Sequence, residues 1–198
     1  MRRLIFFILL GGLALIAIIF VALFFLFGPI RSEVFSSTVE LPPPEAGFVL
    51  ISPDFNDGGP IPRTFTCNGE NIPPTLAWGE PPTGTKSFIL TVIDPDAPGG
   101  AWIHWIVYNL PAQIRSIDAN TRPGTQINDM TILFGKNSWG KQAYGGPCPP
   151  TGTHHYVFQI TAMNINLGPE NKATISELDA QMQGSILGTA KLIGTYTK

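Results

Sequence analysis

The residues best suited to chemistry are the three histidines, His104, His154 and His155. Each lies beside a segment rich in proline, glycine and aromatic residues, and such segments form loops with few accessible conformations. Imidazole and backbone N–H groups donate hydrogen bonds, and imidazole also changes its charge near neutral pH. A site built from both segments would therefore suit an anionic group such as phosphate.

The first segment, residues 94–105, predicts a carboxylate and an imidazole at the same end of a sheet. Asp94 and Asp96 occupy alternate positions where a predicted strand ends. The next predicted strand carries Trp102 and His104 on a common face, because side chains repeat every two residues. Asp94 can then meet His104, whereas Asp96 can also be explained as a turn-forming residue only.

The second segment, residues 144–156, leads into another predicted strand. Period-two alternation places His154 and Tyr156 on one face of that strand and His155 on the other. Its glycines allow close backbone approach and its prolines restrict the loop. The segment is therefore predicted to form a rigid rim beside the imidazoles.

The elements that must position these residues are mainly strands. From residue 47 onward, short apolar runs alternate with Gly, Pro, Asn and Asp, a pattern typical of a β-dominated domain. We predict strands at residues 48–52, 64–66, 76–78, 87–93, 102–110 and 156–163, of which the last three are apolar on both faces and form the core of the sheet.

One helix is predicted near the end of the chain. Thr174 and Glu177 have the spacing of a capping box, and apolar residues then recur at helical intervals through Leu187. Gly184 is expected to break or bend this helix. Of the four tryptophans, only Trp102 is expected to share the pocket face, and the others are expected in the core.

The chain divides into three predicted parts. Residues 4–27 carry no charged side chain and, as a helix, are long enough to cross a bilayer core of about 30 Å. Residues 1–30 are therefore predicted to be a retained membrane anchor, residues 31–46 a proline- and serine-containing linker, and residues 47–198 a globular domain. Arg2 and Arg3 predict a single-pass protein with a cytoplasmic N-terminus and an extracytoplasmic domain; cleavage of the segment is the alternative.

Two motifs identify a family resemblance. The runs Asp94-Pro95-Asp96-Ala97-Pro98 with Trp102-Ile103-His104-Trp105, and Tyr144-Gly145-Gly146-Pro147-Cys148-Pro149-Pro150 with Gly152-Thr153-His154-His155-Tyr156, resemble the signature segments of the phosphatidylethanolamine-binding protein family. The similarity is greatest to its bacterial and archaeal branch, the Raf-kinase-inhibitor-like proteins, and covers about residues 47–198.

The resemblance implies a mainly β fold with two antiparallel sheets, small peripheral helices and an anion pocket at one end of the large sheet. It assigns the pocket to eight residues: Asp94, Pro98, Trp102, His104, Gly146, Pro149, His154 and Tyr156. Asp96 would brace the loop, and His155, which stands where the family commonly has Arg, would face away from the pocket.

The resemblance also implies a binding module rather than an enzyme, without a cofactor or a metal. Its ligand would be a small anionic or phosphoryl-containing molecule or a lipid headgroup, and its protein target a kinase or a protease. Alternatively, the domain inhibits an envelope enzyme through its surface and the pocket is unused. The net charge of −2 provides no basic surface for nucleic acid.

Two further alternatives concern particular side chains. Asp94, His104 and His154 form the ligand set of a facial iron site, which would support a metal-dependent enzyme. Cys67 and Cys148 are the only cysteines. An extracytoplasmic location permits a disulfide between them, and a reactive thiol at Cys148 is the alternative.

Overall fold

The computed structural model describes residues 47–127, 129–168 and 173–198. The predicted anchor at residues 1–30 and the predicted linker at residues 31–46 lie outside the described residues. In the part of the chain that is described, no helix is long and apolar enough to span a bilayer.

Strands make up most of the described structure. In chain order the elements are β1 (Leu50–Ile51), a 3₁₀ helix (Arg63–Phe65), β2 (Leu76–Trp78), β3 (Ser87–Asp94), β4 (Trp102–Pro111), β5 (Ser116–Ile117), β6 (Gln126–Ile127), β7 (Met130–Thr131), β8 (Leu133–Phe134), β9 (Thr153–Met163), α1 (Ile175–Met182) and β10 (Ile186–Thr197).

An antiparallel five-stranded sheet with the order β10-β9-β3-β4-β8 forms the centre of the fold. Its three inner strands are the three predicted core strands, which confirms that part of the prediction. Strand β3 is apolar on both faces because each face is covered. Leu90 and Val92 belong to a cluster shared with the small sheet β1-β2-β5, whereas Ile89 packs in a second cluster with Leu178 and Met182 of α1.

Two features differ from the predicted strands and sheets. Residues 64–66 are not a strand: the chain turns as a 3₁₀ helix, in which the Thr66 amide and hydroxyl both donate to the Arg63 carbonyl. The β-branched and aromatic residues of this segment favour a strand, but local turn hydrogen bonds determine its conformation instead. The described residues also form three sheets rather than two, because β6 and β7 pair as a separate hairpin.

The predicted helix is present, but it ends before the helical repeat of apolar residues does, which continues through Leu187. The Glu177 amide donates to Thr174 Oγ1, and the Thr174 amide donates to Glu177 Oε2 at 2.6 Å, so the capping box is confirmed. The helix ends at Met182, and Gly184 adopts a φ of 72° in the following turn. Ile186 and the residues after it therefore belong to β10.

The antiparallel order brings both motif segments to one end of the central sheet. Asp94 ends β3 and pairs in register with Trp102, which begins β4. On the other side of β3, Ile93 pairs with Val157 of β9. The first residues of β9, including His154, thus lie beside the last residue of β3.

Candidate functional site

A cavity of about 300 Å³ opens at this end of the central sheet. Polar side chains come from three strand ends, and most of the remaining wall is apolar. Its lining consists of Asp94, Ala97, Pro98, Gly99, Trp102, His104, Trp139, Cys148, Pro150 and His154.

Asp94 and His154 form a buried pair in this cavity. His154 Nδ1 lies 2.8 Å from Asp94 Oδ2, and the two residues are only 7% and 3% exposed. Because an ionised carboxylate only accepts hydrogen bonds, His154 Nδ1 carries the proton and Nε2 is the nitrogen left for a ligand. The other carboxylate oxygen, Oδ1, accepts from the Asp96 amide at 2.9 Å, which fixes the turn after β3.

His104 is oriented by the second motif segment. Its Nδ1 donates to the Gly145 carbonyl at 2.6 Å, since a carbonyl can only accept. Burial lowers the pKa of His104 below its usual value, so its ring is neutral at pH 7 and Nε2 presents a lone pair. The ring also packs edge-to-face against Tyr156 and Trp139, each with a centroid distance of 5.1 Å.

Tyr156 lies beneath the cavity and is fully buried. Burial and the negative charge of Asp94 raise the pKa of its hydroxyl, so the phenol stays protonated over the physiological range. Its ring packs edge-to-face against the His104 ring and so supports it.

A second pair of the same chemistry lies outside the cavity. Asp96 Oδ2 accepts from the His155 amide at 2.8 Å and pairs with His155 Nδ1 at 2.7 Å. These side chains are 42% and 56% exposed. The amide hydrogen bond, followed by the imidazole bond, lowers the pKa of Asp96. The pair joins the loop after β3 to the start of β9, in the manner expected of a bracing residue.

Trp139 is the main wall residue that sequence reasoning missed. Its side chain is 43% exposed and packs edge-to-face against Trp102 at a centroid distance of 5.4 Å. The expectation that only Trp102 shares the pocket face is therefore wrong. Asn137 Oδ1 accepts from the amides of Trp139 and Lys141 and so shapes the loop that presents the indole. The turn-forming residues on either side of Trp139 were the available signal, because loop tips are exposed.

The second motif segment packs too closely for side chains at Gly145 and Gly146. A Cβ at Gly145 would overlap the Trp139 ring, and a Cβ at Gly146 would overlap the Phe65 carbonyl. The structure also joins Cys67 to Cys148 in a disulfide, with Cα atoms 5.5 Å apart. These contacts hold Gly145 in the position where its carbonyl accepts the hydrogen bond from His104 Nδ1.

The structure brings five of the eight predicted pocket residues to the cavity wall: Asp94, Pro98, Trp102, His104 and His154. Gly146 instead lines a neighbouring cavity of about 240 Å³, and its amide already donates to Asn71 Oδ1 at 2.7 Å. Pro149 is buried, and Pro150 takes its place on the wall. Tyr156 lies below the wall rather than on it.

The geometry does not form a metal centre from the described residues. Among them, no three His, Cys, Asp or Glu side chains are grouped closely enough to hold a metal ion. His104 and His154 both point their Nδ1 atoms at other partners, the Gly145 carbonyl and Asp94. These hydrogen bonds leave both Nε2 atoms open, so it is the grouping of the described side chains that lends the facial iron set no support.

The fold and this site together define a class: antiparallel β proteins with a small cavity, two imidazoles and a buried carboxylate at one end of the central sheet. Comparison with known proteins makes the assignment specific. Residues 51–197 match the family model described as phosphatidylethanolamine-binding protein, and the chain belongs to this family.

Relatives in bacteria and archaea support the assignment. A UPF0098 protein of Methanothermobacter thermautotrophicus is 40% identical over 144 residues, which is 73% of this chain and 95% of the relative. The Mycobacterium tuberculosis protein named "Putative lipoprotein LppC" is 39% identical over 150 residues, 74% of this chain and 71% of that one.

A solved structure agrees with the fold. The crystal structure of a phosphatidylethanolamine-binding protein homologue from Chlamydia trachomatis superposes with a TM-score of 0.69 at 37% identity. The match covers 77% of this chain and 98% of the chlamydial chain.

Proposed function

We propose that this protein binds small phosphoryl-bearing anions in the cavity between His104 and His154, and that it acts as a binding module rather than as an enzyme. One observation carries the proposal: both histidines engage Nδ1 with a protein acceptor, which leaves Nε2 of each for a ligand. Two imidazoles so fixed in one cavity form a prearranged pair of hydrogen-bonding groups.

The shape of the cavity supports a ligand with a compact polar end and a less polar remainder. The imidazoles lie with the buried Asp94, while Pro98, Trp102 and Trp139 provide apolar walls. A volume of about 300 Å³ is at the low end of the range for small-molecule sites. A phosphoryl group with a short organic substituent fits this combination better than a large apolar ligand does.

We further propose that the module works at the cell envelope, tethered by residues 1–30, with its domain outside the cytoplasm. The uncharged run at residues 4–27 supports this location, and so does the name of the mycobacterial relative, which describes a lipoprotein. Membrane fractionation combined with protease accessibility tests the tether. Recovery of the full chain in the soluble fraction would contradict it.

Histidine NMR of the full-length chain tests the binding site directly. Titration with inorganic phosphate or O-phosphorylethanolamine at pH 6.5 should shift the imidazole signals of His104 and His154. His155 is a built-in control, because it lies on the opposite face of β9. Unmoved His104 and His154 signals at millimolar ligand would overturn the proposal.

Matched variants separate binding in the cavity from binding at the surface. His104→Ala combined with His154→Ala should abolish the response to phosphate, whereas His155→Ala should keep it. Equal phosphate binding by the double variant and the original chain would place the ligand elsewhere.

A further inference from the structure

The charges around the cavity limit which phosphoryl ligands it can hold. Among the described residues that line it, Asp94 bears the only fixed charge, and none is Lys or Arg. A dianionic phosphate would thus enter a cavity that already holds a buried carboxylate. Burying unpaired charge is costly, so the ligand must bring fewer negative charges or the site must take up protons.

The two histidines differ in what they can offer such a ligand. His104 donates Nδ1–H to a carbonyl, is buried, and therefore presents Nε2 as an acceptor. His154 donates Nδ1–H to the Asp94 carboxylate, which stabilises a second proton on Nε2 when an anion lies on the other side of the ring. The cavity thus pairs one acceptor with one donor.

We propose, resting on the function proposed above, that the cavity selects singly protonated phosphate monoesters over phosphodiesters. His104 Nε2 accepts the hydrogen of the ligand P–OH group, and His154 Nε2–H donates to a P–O⁻ oxygen. A phosphodiester has no P–OH group, so it leaves the His104 lone pair facing an anionic oxygen. A diester lipid headgroup therefore binds more weakly than the corresponding free monoester.

Binding by this scheme takes up a proton at His154, so affinity decreases as pH rises. The ionisable groups around the two imidazoles are Asp94 at the end of β3, Asp96 in the loop after it, Tyr156 of β9, and Tyr196 of β10, which is the register partner of His154. Burial raises the pKa of Tyr156, whereas hydrogen bonds with Thr66 and Asn68 lower the pKa of Tyr196 from the ordinary phenol value near 10, which lies well above neutral pH. The change in charge is therefore expected at the ligand and His154.

Methyl phosphate and dimethyl phosphate form a matched pair of probes, since they differ by a single methyl group. Calorimetry on the full-length chain at pH 5.5, where a phosphomonoester is mainly singly protonated, should give a Kd about tenfold or more lower for methyl phosphate, the effect of leaving one buried polar group unpaired. Between pH 7 and 8 its affinity should fall by at least about tenfold, because a phosphomonoester loses its second proton near pH 6.

A second pair of probes distinguishes the sources of the ligand. O-phosphorylethanolamine is a monoester, whereas glycerophosphoethanolamine carries the same headgroup as a diester. At pH 5.5, where the monoester is mainly singly protonated, tighter binding of the monoester is expected. Equal or tighter binding of glycerophosphoethanolamine would overturn the selectivity and favour a lipid headgroup as the ligand.

The position of the proton is read by ¹⁵N NMR of the imidazole rings. In the methyl phosphate complex, His104 Nε2 should keep the shift of an unprotonated nitrogen while His154 Nε2 becomes protonated. A protonated His104 Nε2 would overturn the inference. If His104 and His154 respond to none of these ligands, the proposed function itself fails, which is a separate result.

His104→Gln tests the same point with a variant. The glutamine amide places an N–H donor where Nε2 stands, so dimethyl phosphate should bind at least as tightly as methyl phosphate. His155→Gln is the matched control and should keep the monoester preference. A preference unchanged by His104→Gln would contradict the role assigned to His104; the comparisons on the unaltered chain do not depend on the folding of this variant.

Discussion

Two histidine–aspartate pairs lie side by side in this protein, and burial is the main difference between them. The inner pair, His154–Asp94, has a separation of 2.8 Å and side chains 9% and 5% exposed. The outer pair, His155–Asp96, has a separation of 2.7 Å and side chains 56% and 42% exposed. Consecutive histidines on β9 thus pair with two aspartates, Asp94 at the end of β3 and Asp96 in the loop after it.

Side chains alternate along β9, so the neighbouring residues His154 and His155 face opposite sides of the strand and have different roles. Water can replace a lost partner at the outer pair, so that pair is expected to add little to stability. Water has little access to the inner pair, so each of its polar atoms depends on its protein partner. The inner pair consequently fixes the orientation of a ring that faces the cavity, and the outer pair braces the loop.

The largest effect is expected from Asp94→Ala. Removing this carboxylate should lower the free energy of unfolding by about 1–3 kcal/mol, because the buried His154 N–H is left unpaired. Urea denaturation at pH 7 measures this loss. A loss below about 1 kcal/mol would show that the inner pair is no more important than a surface pair.

An intermediate effect is expected in the pH dependence of stability. The folded state lowers the pKa of His104, so below about pH 6.5 the unfolded state binds more protons and stability decreases toward pH 5. In His104→Asn, the amide can still donate to the Gly145 carbonyl but does not titrate, so this decrease should become smaller. Denaturation at pH 7 and 5 measures it. The matched variant His155→Asn should retain the decrease, and equal slopes in the two variants would contradict the account.

The smallest effect is expected from Asp96→Ala, with a loss of at most about 1 kcal/mol at pH 7. Because the folded state lowers the pKa of Asp96, its contribution is present above the usual value of 3.8 and is lost as pH falls below it. The variant and the original chain should therefore become closer in stability in acid. If Asp96→Ala lowered the free energy of unfolding as much as Asp94→Ala does, the inner and outer pairs would not differ in their contribution to stability.

Much of the site could be predicted, because the period-two pattern of the strands and the positions of their ends indicate where the polar side chains lie. Asp94, His104 and His154 lie at the ends of strands apolar on both faces, and those strands are the centre of the sheet. The resemblance supplied the fold that joins the two segments. Period-two alternation then separated His154 from His155 correctly.

The errors fall in segments whose course is set by packing between distant parts of the chain. Gly146 follows the Phe65 and Asn71 contacts into a neighbouring cavity, and neither contact is visible in a local pattern. Trp139 is exposed because a loop organised by Asn137 carries it outward. Residues 64–66 become a 3₁₀ helix because turn hydrogen bonds replace strand pairing.

A crystal structure of the chain soaked with methyl phosphate would show whether the anion lies between His104 and His154. We expect a phosphoryl group between the two rings, with one oxygen within hydrogen-bond distance of His104 Nε2 and another within hydrogen-bond distance of His154 Nε2. Methyl phosphate found instead in the neighbouring cavity beside Gly146, or none bound at saturating concentration, would contradict it.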